Sequence, residues 1–362
     1  MTDDSGNVAL TDGGKKVRLS REPLLDLFDR LLPPHSPFTN SFAFYDLAPK
    51  HVYSVGKNDW RDKDKQILRI KERPYEHNVS GPLQGSWEVV ITPARLIDKE
   101  GREVDAYPGR QEQIVEEALR RLAVKRHRTT MINDEPGVKF TFYELRAELA
   151  EIGSTLSLQE IKWSIEVCHK CNVGFRRIGE HEPPFSAPIF PSRLLAKRVG
   201  GDFVSYVTFH PLVGLGIREL QYRLLNYEVQ VKFKSYVSKW LHKRLSHHFT
   251  QSTSSDRYCV ITANEIIQNS GMTLYSQRRD NIGKVREAVE ELKSQGILVM
   301  VESETMKGTG GAIQDVVFML YPSADFLEEM RKANIHHHRI EDEADRRGVT
   351  QRGKSRRRLE SK

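Results

Sequence analysis

The stretch Thr262-Ala-Asn-Glu-Ile-Ile-Gln-Asn-Ser-Gly271 decides how the second half of the chain folds. Thr262 and Glu265 have the spacing of a capping box, in which each side chain bonds to the backbone N–H of the other residue. A short helix is therefore predicted to begin after Thr262 and to run through Asn269. Gly271 ends it, since glycine readily adopts the left-handed conformation found at helix ends.

A second helix follows, because apolar residues recur at spacings of three, four and three. It ends at Gly296, and the apolar stretch 297–302 is predicted to form a hairpin with 316–320. An amphipathic helix at 236–249 precedes the whole unit. The order helix, short strand, helix, turn, helix and hairpin is typical of a winged helix. The apolar residues of the second helix are Ile282, Val285, Val289 and Leu292.

The same order occurs earlier in the chain. Thr141 and Glu144 repeat the capping-box spacing, and Gly153 ends the helix that they open. The next helix has the same apolar spacing, and an amphipathic helix at 111–124 precedes the unit. Its hairpin is predicted to pair 175–178 with 203–209 around a long insert. Two diverged domains fit this repeat better than a solenoid, which needs at least three copies. The apolar residues are Leu158, Ile161, Ile165 and Cys168.

The sequence thus predicts an α+β fold with two tandem winged-helix domains, at 83–225 and 226–330. Residues 1–82 are predicted to form a largely flexible N-terminal arm with a short apolar motif at 24–32. Residues 331–362 are predicted to form a basic, disordered tail. This tail contributes +6 to the net charge of +7, so the remainder of the chain is nearly neutral. A nucleic-acid site must therefore come from local patches of charge.

Composition excludes several classes of protein. No stretch approaches the roughly 18 apolar residues that cross a bilayer, so no membrane partner is expected. The N-terminus has no basic and apolar signal pattern. Three cysteines cannot build a disulfide framework, which favours a reducing cytoplasm.

The second helix of a helix-turn-helix lies in the major groove, with its N-terminal residues at the base edges. In the second unit this helix begins with Arg, Gln and Asn, which form bidentate pairs with bases. Lysines of the wing and the leader helix are predicted to hold phosphates. The alternative is a solvated helix face. In the first unit Glu160 and Glu166 repel phosphate, so DNA contact and a protein interface both remain open there. The predicted DNA-binding residues are Ser276, Gln277, Arg278, Arg279, Asn281, Lys284, Arg286, Lys307, Lys239, Lys243, Arg244, Gln159 and Lys162.

Three runs resemble the plasmid replication initiators, the tandem winged-helix Rep proteins, and most of all the TrfA-like initiators of broad-host-range plasmids. They are Val138-Lys-Phe-Thr-Phe-Tyr-Glu-Leu145, Gln111-Glu-Gln-Ile-Val-Glu-Glu-Ala-Leu119 and Lys239-Trp-Leu-His-Lys-Arg-Leu245. The resemblance implies binding to directly repeated origin sites in double-stranded DNA (iterons), origin opening and recruitment of the host helicase, initiator and polymerase factors. It also implies a monomer–dimer equilibrium, autorepression by the dimer, and a bacterial cytoplasm with association to plasmid or nucleoid.

The apolar motif Leu24-Leu25-Asp26-Leu27-Phe28-Asp29 resembles the peptide by which replication proteins dock into the sliding clamp. Leu25, Leu27 and Phe28 would be the anchors in an apolar pocket. Leu24 stands where that peptide has Gln, which removes a polar anchor. The alternative is an amphipathic helix that folds back on the body.

Three sequence motifs resemble catalytic or metal-binding motifs, but each lacks the context that its chemistry requires. The stretch 348–355 matches the P-loop pattern but has no strand before it and no room for a helix after it. Cys168 and Cys171 have metal-like spacing without a second pair, so core packing is expected. The run 336–338 of three histidines is read as solvated. We therefore expect no enzyme, no cofactor and no metal. Two functions remain as alternatives to a replication initiator. One is a winged-helix repressor of a palindromic operator, and the other is a nuclease or relaxase that uses these histidines.

Overall fold

The computed structural model describes most of the chain, as an assembly of helices and antiparallel strands. The described residues are 8–12, 15–20, 38–53, 70–79, 82–125, 129–132, 135–199, 202–249 and 258–346. The helices are α1 (Ala43–Asp46), α2 (Arg110–Lys125), α3 (Phe142–Glu151), α4 (Leu158–Lys170), α5 (Pro211–Arg218), α6 (Tyr227–Gln230), α7 (Tyr236–His248), α8 (Ala263–Asn269), α9 (Arg278–Ser294) and α10 (Ala324–Arg346). The fold is mixed α+β, as predicted.

The strands form antiparallel sheets. They are β1 (Val8–Asp12), β2 (Lys15–Ser20), β3 (Phe38–Phe42), β4 (Lys71–His77), β5 (Gly85–Thr92), β6 (Ala94–Ile97), β7 (Glu103–Ala106), β8 (Thr129–Ile132), β9 (Glu135–Phe140), β10 (Asn172–Arg177), β11 (Phe185–Ala187), β12 (Arg193–Val199), β13 (Asp202–Thr208), β14 (Tyr222–Asn226), β15 (Cys259–Thr262), β16 (Leu298–Lys307) and β17 (Ile313–Pro322). The sheet orders are β1-β2-β8-β9-β13-β12, β11-β10-β5-β4, β15-β17-β16, β14-β3 and β6-β7.

The second unit has the predicted order of elements: α7, β15, α8, α9 and the hairpin of β16 with β17. The Thr262 hydroxyl accepts a hydrogen bond from the Glu265 backbone N–H at 3.1 Å and caps α8. Gly271 and Gly296 end α8 and α9 with φ of +69° and +76°. The local signals read from the sequence therefore place these helices correctly.

The hairpin predicted for the first unit is wrong. Both halves of the capping box at Thr141 and Glu144 are present, and α3 and α4 lie where the sequence places them. However, β10 pairs with β5 and β11, whereas β13 pairs with β9 and β12. The insert between 178 and 203 supplies β11 and β12, and each pairs with a strand adjacent to it in sequence, as neighbouring strands usually do.

Part of the predicted flexible arm lies in the core. Phe44 and Tyr45 of α1 are 1% and 0% exposed. The Phe44 ring lies 4.9 Å from that of Trp87 and 5.1 Å from that of Phe175. Strands β3 and β4 pair with β14 and β5. The prediction failed because this segment has no hydrophobic period, although its few aromatic residues bury large areas. Leu25, Leu27 and Phe28 lie outside the described residues.

The predicted disordered tail is helical as far as Arg346. Helix α10 buries residues spaced by four, three and four, which is the amphipathic pattern. Its His337 is 5% exposed and its ring meets that of Tyr222 edge-on at 5.3 Å, so a fully solvated histidine run was also wrong. The P-loop-like stretch 348–355 lies outside the described residues. The buried residues of α10 beyond 331 are Ala333, His337, Ile340 and Ala344.

Candidate nucleic-acid interface

Helix α9 presents a narrow exposed stripe in its N-terminal half. Its core face is the predicted one, and Ile282, Val285, Val289 and Leu292 are buried. Arg279 and Arg286 are exposed, and Gly283 lies between them at spacings of four and three, so the three share one face. No atom lies within 4 Å of the position that a Cβ of Gly283 would occupy. The stripe thus offers two guanidinium groups with bare helix backbone between them.

The N-terminal end of α9 is also open. Ser276 and Gln277 are exposed, and Gln277 occupies the N-cap position without a side-chain capping bond. The first backbone N–H groups of a helix lack partners within it, and the helix dipole favours negative charge there. This end of α9 can therefore receive a phosphate group beside the stripe.

Arg278 is exposed, but its guanidinium group also joins three elements. One of its guanidinium nitrogens donates to the Asn264 side-chain oxygen at 2.7 Å and to the backbone carbonyl of Gln314. Asp315 accepts from the Asn264 backbone N–H at 3.1 Å in the same junction. Arg278 thus joins the start of α9 to α8 and β17. We expect it to position the stripe rather than to read a base.

Asn281, predicted to read bases, lies on the core side of α9 rather than on its exposed face. Its side chain is 7% exposed and bonds to both backbone groups of Tyr275, accepting from the N–H at 2.7 Å and donating to the carbonyl at 3.0 Å. Asn281 precedes core residue Ile282 and lies toward the core side of the helix. It closes the loop before α9, so base reading would require both of these bonds to break.

The leader helix α7 holds its basic side chains largely within the protein, with Lys243 buried and Lys239 and Arg244 half-buried. The ammonium group of Lys243 lies 2.6 Å from a carboxylate oxygen of Glu117 in α2, and the lysine side chain is 10% exposed. Burial opposes its charge, but the Glu117 carboxylate outweighs burial and raises the pKa of Lys243. Arg244 is 13% exposed and lies 3.9 Å from Glu265. Burial lowers the pKa of the half-buried Lys239. A phosphate contact by Lys243, as predicted, would require its buried ion pair with Glu117 to break.

The hairpin adds one exposed lysine next to a glycine-rich tip. Lys307 ends β16 and is exposed. Gly310 and Gly311 turn the chain with φ of +83° and +78°. Lys284 of α9 is exposed as well, but its ammonium lies 2.7 Å from Glu287, which offsets part of its charge. Lys307 is thus the better candidate for a phosphate contact.

In the first unit, α4 is less repulsive to phosphate than the sequence indicated. Gln159 and Lys162 are exposed on it. Glu160 caps the helix by accepting from the Ser157 backbone N–H at 2.7 Å. Glu166 is held by two cations, Arg193 at 2.6 Å and Lys170 at 3.2 Å. DNA contact and a protein interface both remain compatible with this helix.

Sequence reasoning missed Gly283, although its signal was visible. A glycine inside a 17-residue helix lowers helix stability, so it requires a reason. Core packing does not explain the glycine here, because no atom lies near its Cβ position.

Cys168 and Cys171 are buried, as predicted for core packing. Among the described residues no group of His, Cys, Asp and Glu side chains is placed to hold a metal ion, and no helix is long and apolar enough to span a membrane.

Comparisons with known proteins give structural neighbours alone. No protein-family model matches the chain, and no curated protein matches it in sequence. The chain is similar to a crystal structure of domains 2 and 3 of RctB, with a TM-score of 0.41 and 11% identity over 75% of this chain and 97% of that one. It is also similar to the Pi initiator protein in complex with iteron DNA, with a TM-score of 0.38 and 13% identity over 59% of this chain and 94% of that one. The second of these neighbours is described as an initiator protein.

Proposed function

We propose that the chain is a plasmid replication initiator that binds repeated sites in double-stranded origin DNA through two winged-helix domains, at 83–225 and 226–330. The proposal assigns it no catalytic step. Origin opening, recruitment of host helicase and initiator proteins, and autorepression through a monomer–dimer equilibrium belong to the same proposal. The observation that supports it most is the stripe of exposed Arg279 and Arg286 with half-buried Gly283 between them, at the open end of α9.

The stripe has the dimensions of a base-reading surface. Seven residues of α-helix span about 10 Å, or roughly three base-pair steps of a groove that admits a helix. Arginine makes bidentate hydrogen bonds to guanine, so Arg279 and Arg286 would each specify a position. Gly283 would let the helix backbone come close to the base edges between them. Lys307 and the end of α9 would hold phosphates and fix the orientation.

Gly283→Ala tests the close approach of α9 to DNA. The substitution is expected to raise the free energy of unfolding by about 0.5–1 kcal/mol, because alanine is the better helix former and its methyl group meets no atom of the protein. It is expected to weaken binding to the preferred duplex by about tenfold, or about 1.4 kcal/mol, because the methyl group would stand between helix and bases. Thermal unfolding and fluorescence anisotropy at fixed salt measure the two effects.

Ser294→Ala is the matched control. It places alanine at the far end of the same helix, where Ser294 is exposed, and DNA affinity should not change. If Gly283→Ala binds as tightly as the wild type, α9 does not approach DNA along this stripe.

A further inference from the structure

A cleft of about 590 Å³ opens on the side of α7, apart from the α9 stripe. Segments from both halves of the chain line it: 42–44, 77–79, 82–83, 220–223, and parts of α7 and α10. Its size falls within the range of small-molecule sites, which is roughly 300–1,000 Å³. The proposed DNA interface makes no use of these residues.

The lining of the cleft is electropositive. Arg223 and Arg244 both contribute to it. Arg223 donates to the Asn334 side-chain oxygen at 3.0 Å. Burial lowers the pKa of Arg223 and the Glu341 carboxylate opposes this effect, so Glu341 offsets part of the Arg223 charge. The carboxylate of Glu265 lies 3.9 Å from Arg244 but also accepts from Asn78 at 3.1 Å. Among the described lining residues Glu341 is the acidic one, and it lies 3.0 Å from His338, a histidine of its own helix. The lining itself therefore carries two guanidinium groups and one carboxylate, and the Glu265 carboxylate beside Arg244 offsets part of this positive charge.

Two buried imidazoles lie beside these guanidinium groups, and burial is the main cause of their lowered pKa values. His77 and His247 are each 5% exposed and both line the cleft. Burial and the positive charge of Arg244 lower the pKa of His77 to about 4. Burial lowers the pKa of His247 to about 3; the Asp46 carboxylate opposes this effect, and the charges of Arg223 and Arg244 add to it. The Tyr75 hydroxyl lies 2.9 Å from Nδ1 of His77, so Nε2 is the ring nitrogen not used in that bond.

The remaining lining is partly apolar. Val79 and Leu83 are half-buried and Pro82 is exposed. Pockets for small organic ligands combine an apolar wall with a few polar groups that fix orientation. A wall of this kind beside two guanidinium groups suits a ligand with a phosphate at one end and a ring at the other, since arginine matches phosphate geometry.

We propose that this cleft binds a phosphate-bearing small molecule, with a nucleoside monophosphate as the ligand that fills it best. Arg223 and Arg244 bind the phosphate oxygens, and Val79 and Leu83 contact the nucleoside. The inference is independent of the α9 interface, because it needs neither DNA nor the residues of that interface.

Isothermal titration of the full chain, without DNA, tests this proposal. The probes are adenosine monophosphate, inorganic phosphate and adenosine. Adenosine monophosphate should bind and adenosine should not. Inorganic phosphate binding more weakly than the nucleotide supports the full proposal, whereas equal binding supports the anion site with free phosphate as its ligand. Absence of binding by both phosphate probes at millimolar concentration would overturn it.

Two substitutions locate the binding in the cleft. Gln221→Glu places a negative charge in the lining and should weaken nucleotide binding at least tenfold, and Asn78→Asp, at an exposed lining position, should weaken it in the same direction. Gln295→Glu makes the same chemical change at an exposed site beyond α9 and should leave binding unchanged. Thermal unfolding checks that each variant is folded. Equal affinities for the cleft variants and Gln295→Glu would contradict the assignment of this cleft.

Discussion

Arg120→Ala is expected to lower the free energy of unfolding by about 3–5 kcal/mol, the cost of breaking a buried ion pair by removing one partner. The Arg120 guanidinium makes two bonds to the Asp46 carboxylate, at 2.5 and 3.0 Å, and a third to the Asn40 carbonyl at 2.7 Å. Burial alone would raise the pKa of Asp46, but the charge of Arg120 holds it well below its usual range. Urea denaturation of the wild type and the variant measures the loss.

The effect should be large because the pair belongs to a network that joins distant parts of the chain. Lys50 lies 3.7 Å from both Asp46 and Glu116, and Glu117 pairs with Lys243. The network thus connects the segment around α1 to α2 and α7. Arg331→Ala is the control, since Arg331 makes an exposed pair with Glu328 at 3.2 Å and should cost less than about 0.5 kcal/mol. Equal losses for the two variants would show that the buried network does not stabilise the fold.

Arg279→Ala is expected to weaken binding to the preferred duplex by about 10–100-fold, or about 1–3 kcal/mol, while binding to random duplex changes little. The reason is that Arg279 is exposed on the α9 stripe, where the proposal places it at a base edge. Anisotropy titrations with both duplexes, at one salt concentration, measure the two affinities. Salt must be fixed because phosphate contacts alone change affinity strongly with ionic strength.

Two lysines supply the controls for Arg279→Ala. Lys307→Ala should weaken binding to both duplexes alike, since the hairpin lysine is proposed to contact phosphate. Lys293→Ala removes an exposed cation from the last turn of the same helix and should change neither affinity. A loss for Arg279→Ala that is the same on specific and random DNA would remove it from the base-reading residues.

The sequence predicts elements whose signals are local. Helix bounds are fixed by residues only a few positions away in sequence. Examples are the capping pair Thr141 and Glu144 and the glycines 153, 271 and 296. The hairpin of β16 and β17 was predicted for the same reason, and Val301 lies opposite Leu320. The sheet of the first unit was not predicted, because its pairings cross an insert that contains strands of its own.

Two of the predicted site residues have partners inside the protein that the sequence pattern does not reveal. Lys243 looks like a solvated cation on its own helix, and only the fold brings it to Glu117, 126 residues away. Asn281 belongs to a polar run, yet its side chain satisfies the backbone of a loop. Arg279 and Arg286 could be placed because the helical period alone decides that they face outward.

Selection of bound duplex DNA from a random pool, at physiological salt and with the wild-type protein and Arg279→Ala in parallel, tests the central claim most directly. We predict that the wild type enriches one long asymmetric motif, that direct repeats of this motif lie beside the gene, and that the variant loses preference at one position within it. A two-fold palindrome would point to a repressor of a symmetric operator. No enriched motif, or an identical motif for the variant, would contradict sequence-specific recognition through α9.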